Sequence, residues 1–304
     1  MKVIFFGLGS IGKRHLKNLT DYGKANDIEL DLTSYRSGKP RENDNEKNVT
    51  FIYSEEELAD HYDIAFITNP TFKHLDTISL IESRVSYIFL EKPAFSNSES
   101  LSEIKMDNNK IYVAAPLRYK RVMQYVKEML ISLDVYSGRV ICSTYLPEWR
   151  EGDYRTNYSA IKSMGGGVEL DCIHEIDYIT DFFGIPNEVN KFFGKYSNLE
   201  IDSNDLAIYL LQYFDKTIEI HLDYFGQPST REFQFFTSKG NLEVDLLKNK
   251  VILNGKSLAE FDEEPNQMYQ REIQYFMSNV VGNKSNWNNL NHANKVLEIA
   301  EENR

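Results

Sequence analysis

The chain has 304 residues, a length that allows about two domains with cores of their own. Hydrophobic residues make up 41% and charged residues 26% of it, which is typical of a globular protein and argues against disorder. The formal net charge is −12, so the surface repels phosphate backbones and anionic lipids. We therefore expect neither a nucleic-acid partner nor a membrane partner.

Two cysteines are too few for a disulfide framework, and their number fits a reducing compartment. No spacing of Cys or His is typical of a metal site, so we expect no metal. The first residues lack the pattern of a signal peptide, and no stretch approaches the roughly 18 apolar residues of a membrane span. These features predict a cytoplasmic protein.

The N-terminus carries a dinucleotide-binding motif. An apolar run over residues 2–6 leads into the pattern G-x-G-x-x-G, and a helical pattern follows. In such folds the three glycines allow a tight turn, a close approach of the pyrophosphate and close helix packing, while the helix N-terminus binds phosphate. A glycine-rich turn in an unrelated α/β protein is the alternative. The predicted cofactor-binding residues of this turn are Gly7, Gly9, Ser10, Ile11 and Gly12.

Strand and helix patterns alternate over the first third of the chain, which predicts a parallel, doubly wound sheet. Ser54 and Glu57 have the spacing of a capping box at the start of a helix. The other predictions, in chain order, are a strand at 28–35, an exposed loop at 38–47, a strand at 63–67, a helix at 71–82, a strand at 86–90, a helix at 98–106 and a strand at 111–115.

The pattern changes after about Pro116, and β-rich segments without intervening helices dominate from 187 to 253, which predicts a mostly antiparallel open sheet. The other predictions are a helix at 117–133, a β-rich run at 138–146, a helix from the turn at 165–167 to Phe183, and closing helices at 267–281 and 290–301. We therefore predict a Rossmann domain at 1–117 and an α+β domain at 118–304. The active site should lie between them, at the carboxyl ends of the parallel strands.

The end of the second strand bears on the choice of cofactor. NAD-selective Rossmann folds usually place an acidic residue here on the ribose, but this chain has Arg36, Ser37 and Lys39. A guanidinium, a hydroxyl and an ammonium suit a 2′-phosphate, so we predict NADP in preference to NAD. The alternative is a solvated basic turn, with the selectivity set elsewhere.

Three further motifs complete a pattern. They are Thr68-Asn69-Pro70 after the third strand, Glu91-Lys92-Pro93 after the fourth, and Gly165-Gly166-Gly167 followed by Asp171 and His174. With the N-terminal glycines, their order and separation make the chain resemble the Gfo/Idh/MocA oxidoreductase family over nearly its whole length. The resemblance includes the closing helix with Tyr269, Glu272 and Phe276. Members mostly oxidise or reduce a hydroxyl carbon of sugars, cyclitols and sugar derivatives with NAD or NADP.

The resemblance implies catalytic roles for three residues. Lys92 would bind the reacting oxygen, His174 would be the general base in oxidation and the acid in reduction, and Asp171 would orient the substrate or the histidine. Loss of hydride from a carbinol carbon requires that the hydroxyl proton also leave, and an imidazole can accept it near neutral pH. The remaining cofactor contacts would be Thr68, Asn69, Pro70, His74, Glu91 and Lys92, with structural capping as an equal alternative for His74.

The spacing of the acid and the base departs from the family pattern. The family usually places the histidine four residues after the aspartate, whereas His174 follows Asp171 by three. Both spacings keep the two side chains on one helical face, but they rotate the pair. Asp171 could therefore be displaced from its position in the family.

The segment 148–158 is rich in arginine and aromatic residues and is predicted to lie over the site. Arginines here could bind a carboxylate or phosphate bidentately, and aromatic side chains could stack on a sugar face; a loop that packs on its own domain is the alternative. The predicted substrate-binding residues are Lys92, Arg118, Arg150, Arg155, Tyr158, Asp171 and His174. They lead to the hypothesis of an anionic sugar or nucleotide sugar as substrate.

The predicted function is hydride transfer between a nicotinamide cofactor and a hydroxyl or carbonyl carbon of a sugar-type substrate. Two alternatives are a reductase of a non-sugar carbonyl or imine and a redox-inactive regulator that senses NADP(H). The presence of both Lys92 and His174 favours hydroxyl–carbonyl chemistry. The resemblance also implies a homodimer or homotetramer formed through the C-terminal sheet.

Overall fold

The computed structural model of the protein describes residues 1–36, 38–40 and 44–302. Two compact units are formed, one from Met1–Ala115 with Tyr269–Asn294 and the other from Pro116–Met268 with the chain from Lys295 onward. The first contains a parallel sheet and the second a mostly antiparallel sheet, which confirms the predicted fold class. No helix within the described ranges has the length and apolarity needed to cross a membrane.

The first unit is built on a parallel sheet with the strand order β3-β2-β1-β4-β5-β6. The order reverses between β1 and β4, and ligands of such sheets bind at the carboxyl ends of the strands at this point. The strands are β1 Lys2–Phe6, β2 Asp31–Tyr35, β3 Val49–Ile52, β4 Tyr62–Ile67, β5 Val85–Leu90 and β6 Ile111–Val113, and the helices are α1 Ser10–Ala25 and α2 His74–Ile81.

The core of this unit explains why its central strands read as continuous apolar runs. A strand inside a parallel sheet is covered on both faces, so successive side chains are all buried. Phe5 of β1, Phe66 of β4 and Phe89 of β5 stack across the sheet, with ring centroids 4.7 Å and 4.9 Å apart. This stack fixes the ends of the three strands that carry the predicted motifs.

Two predictions in this unit require correction, and one strand was missed. The segment predicted as a helix at 98–106 forms only a 3₁₀ turn at Ser98–Glu103, because its serines offer hydrogen bonds that compete with helix formation. The capping box of Ser54 and Glu57 is present, but it begins a single 3₁₀ turn, since Leu58 already has extended backbone angles. Strand β3 was not predicted, because four residues give too short a pattern.

The second unit is built on a sheet with the order β14-β13-β12-β11-β7-β10-β9-β8, in which only the central pair β7–β10 is parallel among the described pairings. Its strands are β7 Val135–Tyr145, β8 Glu188–Gly194, β9 Leu206–Gln212, β10 Thr217–Asp223, β11 Phe225–Thr237, β12 Gly240–Asp245, β13 Lys250–Leu253 and β14 Lys256–Glu260. Its helices are α3 Arg121–Leu130, α4 Val168–Asp171 and α5 His174–Phe183.

Helix α3 is shorter than the helix predicted at 117–133. It is preceded by a 3₁₀ turn at Pro116–Tyr119, and Lys120 has an extended backbone that separates the turn from the helix. The closing helices agree with the predictions at 267–281 and 290–301. They are α6 Gln267–Tyr275, which continues as a π-helical segment at Phe276–Val281, and α7 Leu290–Ala300.

Candidate functional site

The turn after β1 requires glycine at two of its three motif positions. Gly7 has a φ of +100°, and a Cβ built on it would lie 2.8 Å from the backbone nitrogen of Asn69. A Cβ on Gly12 would lie 2.2 Å from the carbonyl oxygen of Gly7, which also accepts a hydrogen bond from the Thr68 hydroxyl. The β1 turn, the start of α1 and the end of β4 are therefore in backbone contact, and any side chain at Gly7 or Gly12 would separate them.

Gly9 is different, because the protein itself does not require glycine there. Its φ of −74° and ψ of −165° suit any residue, and a Cβ built on it would meet no atom of the described residues within 4 Å. Gly9 is the N-cap of α1, and the first N–H groups of a helix have no partner within the helix. A glycine that neither backbone nor packing explains fits the close approach of a pyrophosphate, so the turn suits a dinucleotide.

A cleft of about 750 Å³ opens beside this turn. Its lining includes several of the predicted cofactor residues, and Glu55 joins them as an acidic group that was not predicted. The volume is within the range of small-molecule and cofactor sites. The predicted residues in the lining are Gly7, Gly9, Arg36, Asn69 and Pro70.

The cationic side chains predicted for a 2′-phosphate differ in their surroundings. The Arg36 guanidinium lies 3.0 Å from the Asp44 carboxylate and 5.8 Å from the centre of the Phe51 ring. Its charge is therefore partly compensated within the protein. Lys39 is exposed, and Ser37 lies outside the described residues.

His74 has a structural role in this unit. It is 1% exposed, and its two ring nitrogens each lie 3.0 Å from a backbone carbonyl oxygen, one of Ala94 and one of Asn69. Burial lowers the pKa of His74, although the carbonyl contacts oppose this effect. A neutral imidazole carries one N–H, so one of these contacts is a hydrogen bond, and the ring lies between the turn after β4 and the segment after β5.

Lys92 is the second residue after the buried end of β5, and the Lys92–Pro93 peptide bond is cis. The side chain of the preceding residue, Glu91, is turned into the protein. One carboxylate oxygen lies 2.6 Å from His15 Nε2, and the other accepts the Lys92 backbone N–H over 3.1 Å. Burial raises the pKa of Glu91, but the hydrogen bond and charge of His15, with the charge of Lys92, outweigh it and hold the pKa below its usual value.

Asp171 and His174 do not lie on one continuous helix, which corrects the prediction of a shared helical face. Asp171 ends α4, Cys172 leaves the helical region with a φ of −96° and a ψ of 29°, and His174 begins α5. The Asp171 carboxylate accepts two hydroxyl hydrogen bonds, from Tyr158 over 2.9 Å and from Tyr224 over 2.5 Å. These tyrosines, rather than helical spacing, fix the position of the carboxylate.

Two of the arginines predicted to bind substrate are held by carboxylates. Arg118 is 7% exposed and donates to Asp177 over 2.6 and 2.8 Å and to Asp181 over 3.0 Å. Its guanidinium is thus committed to the interior of the second unit, which argues against a role as substrate ligand.

Arg155 is half exposed and forms ion pairs with Asp153 at 2.8 Å and Glu200 at 3.0 Å. Arg150 differs, because it is exposed, lies over the Tyr158 ring at 5.0 Å and forms no ion pair with a described residue. Arg150 is therefore the predicted arginine of this segment whose charge is not compensated by a neighbouring carboxylate.

Sequence reasoning missed three residues that shape these sites. Tyr224 follows β10 and was read only as part of a β-rich run, although a tyrosine at a strand end is a common hydrogen-bond donor. His15 lies three residues after Gly12 on α1, and this spacing could have indicated a side chain that points back to the sheet. Glu169 lies in the glycine-rich motif and is 6% exposed, with burial raising its pKa to about 7.

No group of three or more His, Cys, Asp or Glu side chains in the described part of the chain could hold a metal ion.

The N-terminal third of the chain matches a protein family, and nearly the whole chain matches solved structures. Residues 1–110 match the Gfo/Idh/MocA family, described as an oxidoreductase family with an NAD-binding Rossmann fold. None of the curated protein sequences matches the chain.

Solved structures match over nearly the whole chain. A levoglucosan dehydrogenase in complex with NADH and L-sorbose has a TM-score of 0.83 at 13% identity, over 99% of this chain and 94% of its own. A myo-inositol dehydrogenase from Corynebacterium glutamicum has a TM-score of 0.75 at 18% identity, over 99% and 94%. A UDP-N-acetylglucosamine 3-dehydrogenase from Acidithiobacillus ferrooxidans has a TM-score of 0.74 at 16% identity, over 99% and 95%.

At these identities the likeness to the solved structures shows the fold, and the family match adds a sequence similarity over residues 1–110. Both agree with the resemblance inferred from the motifs. Residues 1–110 are thus similar to the NAD-binding Rossmann domain of the Gfo/Idh/MocA oxidoreductase family, and nearly the whole chain shares the fold of the dehydrogenases compared above.

Proposed function

We propose that this protein is an NAD(P)-dependent dehydrogenase or reductase that acts on a CH–OH group of a sugar, cyclitol or sugar derivative. The observation that carries the proposal is the glycine turn, where Gly9 is required by neither backbone nor packing, in the same unit as Lys92 at the end of β5. The names of the similar structures, which are dehydrogenases of myo-inositol, levoglucosan and a nucleotide sugar, support the substrate class.

The proposed chemistry assigns one task to each catalytic residue. The nicotinamide, when bound, supplies the hydride acceptor or donor. In the oxidative direction the carbinol carbon loses hydride, the hydroxyl proton passes to the His174 imidazole, and the Lys92 ammonium stabilises negative charge on the oxygen. Asp171, an acceptor of two tyrosine hydroxyls, would orient the substrate or the histidine rather than carry the proton.

NADP remains the preferred cofactor in this proposal. Its support is Arg36, which lines the cleft, and Lys39 on the same turn. Asp44 and Glu55 work against a 2′-phosphate, because one pairs with Arg36 and the other adds negative charge to the lining. Parallel titrations of NADPH and NADH, followed by quenching of tryptophan fluorescence, test this preference, and equal affinities would refute it.

An anionic group on the substrate, such as the phosphates of a nucleotide sugar, is a narrower proposal. Its support is Arg150, whose guanidinium forms no ion pair with a described residue and lies against Tyr158, a hydrogen-bond donor to Asp171. A neutral polyol would not need this arginine. The choice between the two substrate types follows from the arginine variants described in the Discussion.

A homodimer or homotetramer through the second sheet is also proposed. Phe192 and Tyr196, at one edge of this sheet, are 51% and 59% exposed and stack at 5.7 Å, and Leu210 on the neighbouring strand is 39% exposed. Apolar side chains in such a cluster favour burial against a second copy. Sedimentation that gave only a 35.4 kDa particle would exclude this part of the proposal.

The cytoplasmic location stays part of the proposal, and its support is the low cysteine count.

The experiment that tests the function follows the absorbance of the reduced nicotinamide while NADP⁺ or NAD⁺ is offered with sugars, cyclitols, uronates and nucleotide sugars. The corresponding ketones and NADPH test the reductive direction. Turnover that is lost in Lys92→Ala and His174→Ala would support the enzyme. Cofactor binding without turnover in either direction would favour the NADP(H)-sensing regulator.

A further inference from the structure

We propose that His15 is a positioning residue that connects the cofactor-binding helix α1 to Lys92 through the carboxylate of Glu91. This inference rests on the proposed function, since it assumes that Lys92 acts on the substrate. Its basis is a continuous pair of hydrogen bonds. His15 Nε2 lies 2.6 Å from Glu91 Oε1, and Glu91 Oε2 accepts the backbone N–H of Lys92 over 3.1 Å.

This pair of hydrogen bonds joins helix α1, which begins at the glycine turn, to the segment after β5 that carries Lys92. His15 lies one turn after Gly12 on α1, the helix whose N-terminus begins at the glycine turn. Glu91 is the first residue after β5, and its own backbone N–H donates to Ile67 over 2.9 Å. A displacement of α1 therefore moves the Glu91 carboxylate and, through it, the backbone from which the Lys92 side chain extends.

The burial of His15 indicates that the hydrogen bond, rather than packing, accounts for an imidazole at this position. The ring is 0% exposed and lies among Phe89, Phe66 and Tyr269, with ring centroids at 4.7, 6.1 and 6.0 Å. Its Nδ1 has no hydrogen-bond partner among the described residues. An apolar side chain would fill such a space without the cost of a buried polar nitrogen, so the bond to Glu91 must offset that cost.

The direction of the hydrogen bond between His15 and Glu91 follows from the acceptor. An ionised carboxylate only accepts hydrogen bonds, so Nε2–H of His15 is the donor. Glu91 can accept from both sides because each of its oxygens has lone pairs. An amide in its place could accept from one side only, since its nitrogen is a donor.

Two variants of His15 separate positioning from packing. His15→Gln places an amide N–H near the position of Nε2, whereas His15→Leu removes the donor and keeps an apolar side chain of similar size. Both are examined for Lys92 reactivity by reductive methylation, with each lysine quantified by mass spectrometry and exposed Lys110 as the internal reference. We expect the relative labelling rate of Lys92 to change about threefold or more in the leucine variant and to stay within about twofold in the glutamine variant.

Unchanged labelling in His15→Leu would overturn the proposal. If this variant does not fold, Glu91→Gln gives the same test, because it breaks one of the two hydrogen bonds with almost no change in volume. The labelling needs no substrate, so it decides the role of His15 even if the protein turns over nothing and the proposed function fails.

Turnover supplies the second test through a double-mutant cycle. In the wild-type background we expect His15→Leu to lower kcat about tenfold or more with little change in the Kd for the cofactor. In a Lys92→Met background the same change should have almost no further effect on the residual rate, since the residue through which it acts is gone. Equal losses in both backgrounds would show a merely structural role and overturn the proposal.

Discussion

The hydroxyl of Tyr224 donates to Asp171 over 2.5 Å, and this bond connects the end of β10 to the end of α4. The second carboxylate oxygen accepts from Tyr158 over 2.9 Å. The two tyrosines differ in burial, because Tyr224 is fully buried while Tyr158 is 40% exposed. Trp149 packs edge-on against the Tyr224 ring at 5.2 Å, so the segment that carries Tyr158 also contacts Tyr224. The position of the Asp171 side chain is thus fixed by one buried donor and one exposed donor.

The first prediction concerns these two donors. Tyr224→Phe should lower the free energy of unfolding by about 1–3 kcal/mol, because it removes a buried hydrogen bond to a charged group. Tyr158→Phe should cost well under about 1 kcal/mol, since water can replace its hydroxyl at an exposed position. Urea unfolding of both variants measures the difference. Equal losses of stability would contradict the distinction between a buried and an exposed donor.

The second prediction separates the glycines of the N-terminal turn. Gly9→Ala should fold with an unchanged Tm and lose about tenfold or more in cofactor affinity, because its Cβ meets no described atom and would occupy the space of the pyrophosphate. Gly12→Ala is the matched control, and it should lose about 1–3 kcal/mol of stability, since its Cβ would lie 2.2 Å from Gly7 O. Thermal unfolding and NADPH titration measure both. Full cofactor affinity in Gly9→Ala would contradict the assignment of the turn.

The parts of the fold that the sequence predicted are those with local physical causes. The glycine turn, the apolar strands β1, β4 and β5, and the capping box of Ser54 each depend on residues adjacent in the chain. The helix predicted at 98–106 is only a 3₁₀ turn, and the low helix propensity of its serines is a property that a pattern of apolar spacing does not record.

The site was less predictable because its key contacts join distant segments. Glu91 and His15 are 76 residues apart, and Tyr224 and Asp171 are 53 apart. The charge of Arg118 was visible in the sequence, but its ion pair with Asp177, which argues against a contact with substrate, was not. A sequence without an alignment shows which groups are present and not which of them are already paired.

The third prediction concerns pH and Glu169. Burial is the main cause that raises the pKa of this carboxyl from 4.5 to about 7, against an opposing hydrogen bond from Asn204. Between these two values the folded protein binds more protons than the unfolded chain, so this group lowers stability as the pH rises through that window. Through this group the free energy of unfolding of the wild type should fall by about 2–3 kcal/mol between about pH 5 and pH 8. We expect this fall to be absent in Glu169→Gln.

Urea unfolding of wild type and Glu169→Gln at both pH values measures this effect. Exposed Glu128 on α3 provides the control, and Glu128→Gln should keep the pH dependence of the wild type. If the stability of Glu169→Gln depends on pH in the same way as that of the wild type, the buried carboxyl does not titrate in this range.

The fourth prediction tests the substrate charge with the two exposed arginines of segment 148–158. If the substrate is anionic, Arg150→Ala should raise its KM about tenfold or more with little change in kcat, because the lost contact is a charge-assisted hydrogen bond. Arg155→Ala is the control, and it should leave KM within about twofold, since this guanidinium already pairs with Asp153 and Glu200 and exposed pairs contribute little. Initial rates over a range of substrate concentrations measure both. An unchanged KM in Arg150→Ala would exclude the anionic group and favour a neutral polyol, whereas a raised KM in both variants would mean that the ion pairs of Arg155 open when the substrate binds.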